Sequence, residues 1–322
     1  MVATVSAYTI GEHSSANNQF PGGLDKLLRT YNAVISGAAP TNTGYQVKQE
    51  INLALFNNDP TKQIHFQYDS ATSATATDAF TGGPGQHLFL EFANNGSGDL
   101  TFTTNGQSDV IVLGSDNAVN FVDAGSVGDN GDIIVGGNAN QSISVTSGAN
   151  TVVAGGGQDT IYGGSGADSL VGGGNTWVQG GTGSQTLLGG LSATSHDTLV
   201  AGTGADLLKA KFGDNTIYAG LANGHGTDTV VSRDNGGDSI ALNNGGNVFV
   251  SIGSGSGSDT VSFGLSSGDD TIHTNGGAVD IYVSTSESLT GIQTNASGQT
   301  VISFQDGQHL TYSGNNITLT FH

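Results

Sequence analysis

The sequence has no cysteine, only 4 prolines, one tryptophan and 7 basic residues among 322. Without cysteine, no disulfide framework can hold the fold together. The 7 Lys and Arg stand against 27 acidic residues, a formal charge of −20, so no basic surface is available to bind nucleic acid. No apolar run approaches the ~20 residues that span a bilayer. We therefore predict no nucleic-acid partner and no membrane span.

Glycine and aspartate are the residues in excess. There are 53 Gly, and the acids divide into 23 Asp and 4 Glu. Asp and Gly favour turns and short oxygen-ligand loops, whereas Glu favours helices. Collagen is excluded because proline is scarce and glycine has no three-residue period. Disorder is disfavoured by short, regularly placed apolar clusters such as Val110–Leu113 and Ile133–Val135.

The composition changes near residue 100. For residues 1–100 we predict a small N-terminal α+β domain, with a helix over residues 24–35 and strands that include residues 64–68 and 87–92. Residues 45–56 fit a strand or a helix. Residues 101–285 form a repeat region, and residues 286–322 are predicted to form a C-terminal β cap. In that cap, residues 299–304 and 309–312 make a hairpin and residues 317–321 a last strand.

The repeat region has a period close to nine residues. Residues 163–171 fit the pattern G-G-x-G-x-D-x-U-x, in which U is a large apolar residue, at every position. Residues 154–162 and 201–209 each miss only the first Gly. Looser copies keep only the core of the repeat, an Asp or Asn, then any residue, then an apolar residue: Asp109, Asp132, Asn150, Asn215, Asp228, Asp238, Asn247, Asp259, Asp270 and Asp280.

The nine-residue spacing predicts the geometry of one half-turn. A glycine corner allows close backbone approach, and a strand of three or four residues follows with one large apolar side chain pointing inward. Two half-turns make a coil, and stacked coils make a solenoid. The predicted fold is therefore mainly β, a parallel β-roll or β-helix solenoid, with the small N-terminal α+β domain and the C-terminal β-hairpin cap at its ends.

The repeat over roughly residues 104–285 resembles the hemolysin-type calcium-binding, or RTX, repeat family, whose fold is a parallel β-roll. The resemblance implies that Ca²⁺ is held between turns on one side of the roll by corner carbonyls and Asp side chains, which suits the oxygen preference of the ion. The ligands implied in this chain are Gly155, Gly157, Asp159, Gly164, Gly166, Asp168, Gly202, Gly204 and Asp206.

Several corners depart from the repeat. The turn that follows the Asp159 turn on its side of the roll is Gly172-Gly173-Gly174-Asn175, without Asp, and the turn paired with Asp168 ends in Gln185. Insertions at residues 191–196 and 221–226 break the period. We expect few well-formed calcium sites, between Gly155 and Asp206, and many corners closed by Asn, Ser and backbone hydrogen bonds. An alternative is that the Asp residues serve only as turn formers.

No catalytic constellation is visible in residues 1–100, which lack H-E-x-x-H and G-x-S-x-G, so we predict that the protein is not an enzyme. Polysaccharide chemistry on a carboxylate row, using Asp159 with Asp168 or Asp269 with Asp270, is an alternative. Ice binding by the recurring Thr positions is a minor one.

The predicted function is that of an extracellular structural protein. It would assemble with itself into a surface layer, filament or biofilm matrix, with calcium supporting folding or assembly. The alternative is a calcium-dependent adhesin that binds cell-surface polysaccharide. The first residues show no cleavable secretory signal. The RTX resemblance implies type I secretion from a Gram-negative bacterium, which does not need one.

Overall fold

The structure is a computed structural model. It describes strand segments between residues 47 and 123, and residues 131–321 except 138, 190–191, 221–225, 234–235, 243–245, 265–267 and 285–288. All regular structure in these ranges is β-strand, and they contain no helix with the length and apolar character needed to cross a membrane. Two compact units divide the chain, Met1–Thr160 and Ile161–His322.

The first unit is built from short strands in two sheets. Its strands are β1 (Val47–Asn52), β2 (Gln63–Asp69), β3 (Asp78–Thr81), β4 (His87–Phe92), β5 (Gly98–Thr103), β6 (Val110–Leu113), β7 (Val119–Asp123), β8 (Ile133–Val135), β9 (Gln141–Ser144) and β10 (Thr151–Val153). One sheet has the order β1-β2-β4-β6-β8-β10 and the other β3-β5-β7-β9. Except for the antiparallel pair β1–β2, neighbours are parallel. Successive strands thus alternate between sheets, as in a solenoid.

The second unit repeats this alternation. Its strands are β11 (Thr160–Tyr162), β12 (Ser169–Val171), β13 (Trp177–Gln179), β14 (Thr186–Gly189), β15 (Thr198–Val200), β16 (Leu207–Ala210), β17 (Thr216–Ala219), β18 (Asp228–Ser232), β19 (Ser239–Leu242), β20 (Val248–Ile252), β21 (Ser258–Phe263), β22 (Asp270–Thr274), β23 (Ala278–Val283), β24 (Leu289–Thr294), β25 (Thr300–Phe304), β26 (His309–Ser313) and β27 (Ile317–Phe321). The even-numbered strands from β12 to β22 form one parallel sheet, and the odd-numbered strands from β13 to β23 form the other.

The core of the second unit lies between these two sheets. Each strand contributes a central apolar side chain that is fully buried, and the parallel register stacks these side chains into columns. One column is Leu170, Leu187, Leu208, Val230, Val250 and Ile272; the other is Val178, Leu199, Ile217, Ile240, Val261 and Ile281. The predicted inward residue is present in each of these strands, but several strands bury more than one: β19 buries Ile240 and Leu242, and β23 buries Val279, Ile281 and Val283. A core this thin depends on stacking, because one coil alone buries little apolar area.

The C-terminal strands form the predicted cap. Strands β24, β25 and β26 make an antiparallel meander, while β26 pairs parallel with β22 and β27 pairs parallel with β23. Gly307 turns the β25–β26 hairpin with a φ of 89°. The Phe304 ring stacks on Phe263 of β21, with centroids 5.1 Å apart, so the meander covers the last coil with an aromatic contact. Strand β24 was not predicted from the sequence.

The N-terminal predictions have mixed outcomes. The strands at residues 64–68 and 87–92 are confirmed as β2 and β4, and the ambiguous segment 45–56 contains a strand, β1. The helix over residues 24–35 lies outside the described residues. Parallel pairing starts at β2, upstream of the segment where the glycine repeat begins. The three domain boundaries stay predictions.

Candidate metal centre

The glycine corners stack in two rows. The corners before the even-numbered strands, described at residues 163–168, 180–185, 201–206, 220 and 226–228, are called here the first corner row. The corners before the odd-numbered strands, described at residues 172–176, 192–197, 211–215, 233, 236–238 and 253–259, are called the second corner row. A nine-residue half-turn brings the sixth position of each repeat to the start of a strand, where its side chain lies beneath the corner.

Glycine is required because the corners stack at backbone contact. A Cβ on Gly202 would lie 1.9 Å from the Gly181 carbonyl oxygen, and one on Gly204 would lie 2.1 Å from the Gly183 oxygen. The next corner down repeats this, since Gly181 and Gly183 face the carbonyls of Gly164 and Gly166. Backbone carbonyls of one corner therefore face the glycines of the next corner, with no room for a Cβ atom between them.

Side chains at the sixth position join successive corners of the first row. The Gln185 N–H donates to Asp206 Oδ1 (2.8 Å), and the Asp206 N–H donates to Asp228 Oδ1 (2.9 Å). The second oxygen of each Asp accepts from its own corner, Oδ2 of Asp206 from Gly202 N–H (2.6 Å) and Oδ2 of Asp228 from Gly220 N–H (2.8 Å). Each carboxylate therefore fastens its own corner to the preceding one.

The predicted group Gly202, Gly204 and Asp206 comes together with a carboxylate that was not predicted as a ligand, Asp228. Both Asp side chains are buried. Burial raises the pKa of Asp206, and the negative charge of Asp228 raises it further, against the hydrogen bonds from Gln185 and Gly202. Burial also raises the pKa of Asp228. Two neighbouring buried carboxylates supply oxygen donors of the kind that Ca²⁺ prefers, and a cation would relieve the cost of their burial.

The predicted group Gly164, Gly166 and Asp168 is also brought together, but around an amide. Gln185 Nε2 donates to the Gly164 carbonyl (2.9 Å) and to Asp168 Oδ2 (3.0 Å), and lies 3.5 Å from the Gly166 carbonyl. The Gly164 N–H donates to the same Asp168 oxygen (3.0 Å). The three predicted oxygens of this corner therefore share one amide nitrogen.

The predicted group Gly155, Gly157 and Asp159 lies in the first unit. Gly155 and Gly157 have φ of 93° and 105°, and Cβ atoms there would meet the carbonyls of Gly137 and Ala139. Asp159 is buried, and its Oδ1 accepts from the Gln141 N–H (2.7 Å), 18 residues earlier. This corner repeats the stacked-carbonyl geometry of the second unit. Metal binding by the nine predicted ligands stays a prediction.

The second corner row uses the same construction with other residues. The Thr176 N–H donates to Asp197 Oδ1 (2.7 Å), the Asn215 N–H to Asp238 Oδ1 (2.8 Å), and the Asp238 N–H to Asp259 Oδ1 (2.8 Å). Asp197 was not predicted from the sequence, because it follows an insertion that breaks the period. Its signal was the sequence Asp197-Thr198-Leu199, which keeps the repeat's acidic and apolar positions.

Most of the looser repeat copies occupy the buried corner position, as their pattern predicts. Those described and buried are Asp132, Asn150, Asn215, Asp228, Asp238, Asp259 and Asp270. Two differ: Asn247 is exposed while Val248 takes the buried position, and Asp280 lies inside β23 with partial exposure. Asp109 lies outside the described residues. Nowhere in the described ranges do three or more His, Cys, Asp or Glu side chains form a metal-binding group, so any calcium site there needs backbone carbonyls as well.

A parallel β-solenoid with stacked glycine corners and buried corner carboxylates is the architecture of a calcium-binding β-roll. The family model of the RTX calcium-binding nonapeptide repeat matches this chain in four copies, over residues 144–176 and 194–225. The chain thus carries RTX repeats, fits an RTX β-roll protein, and has Ca²⁺ as the cofactor of those repeats. Such repeats are typical of secreted extracellular proteins of Gram-negative bacteria. No curated protein matches the chain.

Proposed function

We propose that this calcium-binding β-roll protein is an extracellular structural protein that assembles with copies of itself into a surface layer, filament or matrix. Calcium supports the fold at the corners, and the C-terminal edge strands provide the contact between copies. The exposed edge at the C-terminal meander is the observation that carries the assembly. The repeat match supports the extracellular location, because such repeats are typical of secreted proteins.

Calcium binds at the corner 201–206, where two buried carboxylates meet beside the glycines that the repeat pattern places there. Asp206 and Asp228 would hold the ion together with backbone carbonyls of Gly202 and Gly204. The ion supplies a positive charge beside two side chains whose pKa values burial raises. Its binding free energy adds to the stability of the folded state, since the unfolded chain offers no such site.

Asp206→Asn should therefore lower the number of bound calcium ions by one per chain and reduce the stabilisation by calcium. One site contributes ~2.7 kcal/mol at a calcium concentration 100 times its Kd. The full chain, freed of metal with chelator, would be titrated with Ca²⁺ by calorimetry and melted with and without the ion.

Asp306→Asn is the matched control, since Asp306 lies exposed in the β25–β26 turn, where it accepts from the Gln308 N–H. Equal calcium binding by the wild type and Asp206→Asn would contradict calcium binding at this corner.

The edge of the second unit at its C-terminal end consists of two strands. Strand β24 ends the even-strand sheet and β27 ends the odd-strand sheet, so each has a side without a strand neighbour among the described residues. Leu289, Ile292 and Phe321 are large apolar side chains exposed on these strands. An exposed, apolar edge strand is a template for pairing with another chain. A second copy of this chain, which presents the same edge, is the partner we propose.

Ile292→Lys should prevent assembly, because a charged side chain on an edge strand blocks strand addition. Ile292 is 49% exposed, so the substitution leaves the core unchanged. Deleting residues 315–322, which removes β27, should also abolish polymers. Negative-stain imaging and light scattering in calcium would show regular polymers for the wild type and single chains for the variants.

Phe249→Lys is the control for Ile292→Lys, because Phe249 is a 39% exposed apolar residue within the sheet rather than at its edge. It should leave polymers intact. Polymers that persist in Ile292→Lys and in the deletion would sink the proposed contact, and calcium-responsive single chains that bind polysaccharide would favour the adhesin instead.

We also propose that the protein is not an enzyme. In the first corner row, both oxygens of Asp206 and of Asp228 accept backbone hydrogen bonds. These carboxylates therefore have a structural role, which supports binding and stability rather than general acid–base chemistry. Release of unsaturated sugars from a polysaccharide by the purified chain would contradict this.

A further inference from the structure

The side-chain amide of Gln185 lies against the corner 163–168. In a corner with two carboxylates, a cation would occupy the position of this amide. Nε2 of Gln185 lies within hydrogen-bond distance of the Gly164 carbonyl and of Asp168 Oδ2, and its contact with the Gly166 carbonyl is 3.5 Å. Gln185 is 2% exposed, so the amide lies below the surface of the corner. The three oxygens come from the residues that the sequence assigns as calcium ligands.

Gln185 holds the register position of Asp206 and Asp228. Its Oε1 accepts from the Gly181 N–H (2.8 Å), just as the Asp oxygens accept from Gly202 and Gly220 in their own corners. The amide therefore keeps the acceptor that fastens the corner and adds an NH₂ group where the Asp residues have none. The NH₂ group points down at the preceding corner.

The chemistry of the NH₂ group explains its place. Its two hydrogens carry partial positive charge and can satisfy two or three oxygens without a net charge. Buried carbonyl and carboxylate oxygens need such partners, because leaving one unsatisfied costs ~1–3 kcal/mol. A cation could enter this corner only by displacing the nitrogen from oxygens that it already satisfies.

The second corner row contains an independent example. Asn215 Nδ2 donates to the Phe212 carbonyl (3.0 Å), the Gly213 carbonyl (3.2 Å) and Asp238 Oδ1 (3.0 Å). One buried amide nitrogen again contacts two corner carbonyls and one carboxylate, but the carbonyls belong to its own corner and the carboxylate to the next corner, whereas Gln185 reaches the preceding corner. The ability of one amide nitrogen to satisfy carbonyl and carboxylate oxygens therefore recurs at a corner that the Gln185 side chain does not touch.

We propose that Gln185 takes the place of calcium at the corner 163–168, so that this repeat, although it matches the nonapeptide pattern at every position, binds no metal. The residue at the register position of Gln185, Asp206 and Asp228 decides whether the preceding corner binds calcium. An Asp there allows the ion to bind, and a Gln there prevents it. The inference rests on the proposed calcium binding at the corner 201–206.

Gln185→Asp tests the proposal. Gln185→Asn is the control, because Asn has the size of Asp but carries no charge. We expect Gln185→Asp to bind one more calcium ion per chain than the wild type, and Gln185→Asn to bind no more. Calcium per chain would be measured by equilibrium dialysis on the full chain, after circular dichroism has shown that each variant is folded. An equal count for Gln185→Asp and the wild type would overturn the proposal.

Asp168→Asn in the wild-type background keeps the proposal falsifiable if Gln185→Asp fails to fold. We expect the calcium count to be unchanged, because Asp168 accepts from an amide rather than from an ion, whereas Asp206→Asn loses one. A loss of one ion in Asp168→Asn would overturn the proposal and leave the calcium function intact. A wild type without bound calcium would instead contradict the function, and the count for Gln185→Asp would still test the role of the amide.

Discussion

Gly183→Ala should unfold the second unit or destabilise it by more than ~4 kcal/mol, an exceptional cost for one substitution that we expect because the added methyl group has no room. The added Cβ would lie 1.9 Å from the Gly166 carbonyl oxygen and 2.6 Å from its carbon. Both atoms belong to the backbone of a stacked corner, which cannot move without breaking the ladder. The cost is steric, since Gly183 is not among the glycines with positive φ. Urea and thermal unfolding would measure it.

Gly291→Ala is the matched control. A Cβ at Gly291 has no neighbour within 4 Å, and the residue lies in the edge strand β24. It should unfold like the wild type, because alanine there meets open space. Similar melting of Gly183→Ala and the wild type would mean that the corners are not stacked at backbone contact.

Asp270→Asn should stabilise the calcium-free protein at high pH and have little effect at low pH. Burial, with the nearby charges of Asp269 and Asp228, raises the pKa of Asp270 to about 8, against a hydrogen bond from the Val248 N–H. The Oδ2 atom is buried and has no hydrogen-bond partner within the described residues. The folded state therefore holds a proton that the unfolded chain, with its ordinary pKa of 3.8, releases far earlier.

The sign of the pH dependence follows from this difference. The contribution of the protonated Asp270 is fully present below pH 3.8 and is lost as the pH rises through about 8. Each pH unit between these values is worth up to ~1.4 kcal/mol for one group. Melting in chelator across this range should show wild-type stability falling with pH, and a smaller fall for Asp270→Asn, whose side chain stays neutral.

Asp280→Asn removes the same charge from a partly exposed position in β23, so it should keep the wild-type pH profile. If Asp270→Asn melted below the wild type at pH 8 by as much as at pH 5, the buried carboxyl would have no role in the pH dependence.

The sequence alone predicts the corners and the core of this fold well, because both follow from one period. A repeat of nine residues places Leu170 and Leu208 inward and Gly202 and Gly204 in a corner, and no other contact is needed to infer it. The prediction weakens where the period slips. Asp197 was missed after an insertion, and at Asn247 the buried position moved by one residue to Val248.

The amide at Gln185 could be noted from the sequence but its role could not. The sequence shows that Gln stands where the repeat has Asp, and it predicts closure of such corners by Asn, Ser and backbone hydrogen bonds, not by a Gln side chain. Which oxygens the amide meets depends on how the coils stack, since the carboxylate of Asp168 lies 17 residues earlier in the chain. A period gives the position of a residue in its coil, but the partners across coils require the register.

The sixth-position hydrogen bonds between corners share one direction. In each pair described, the backbone N–H belongs to the earlier corner and the accepting side chain to the later one, 18 to 23 residues further on. Other bonds run the opposite way, since the Thr203 N–H donates to the Gly181 carbonyl and the Gly237 N–H donates to Asp214 Oδ1. Removing the neighbour on either side of a corner therefore leaves N–H groups without acceptors, at ~1–3 kcal/mol for each buried one. A turn of the roll is thus completed by the turns on both sides of it.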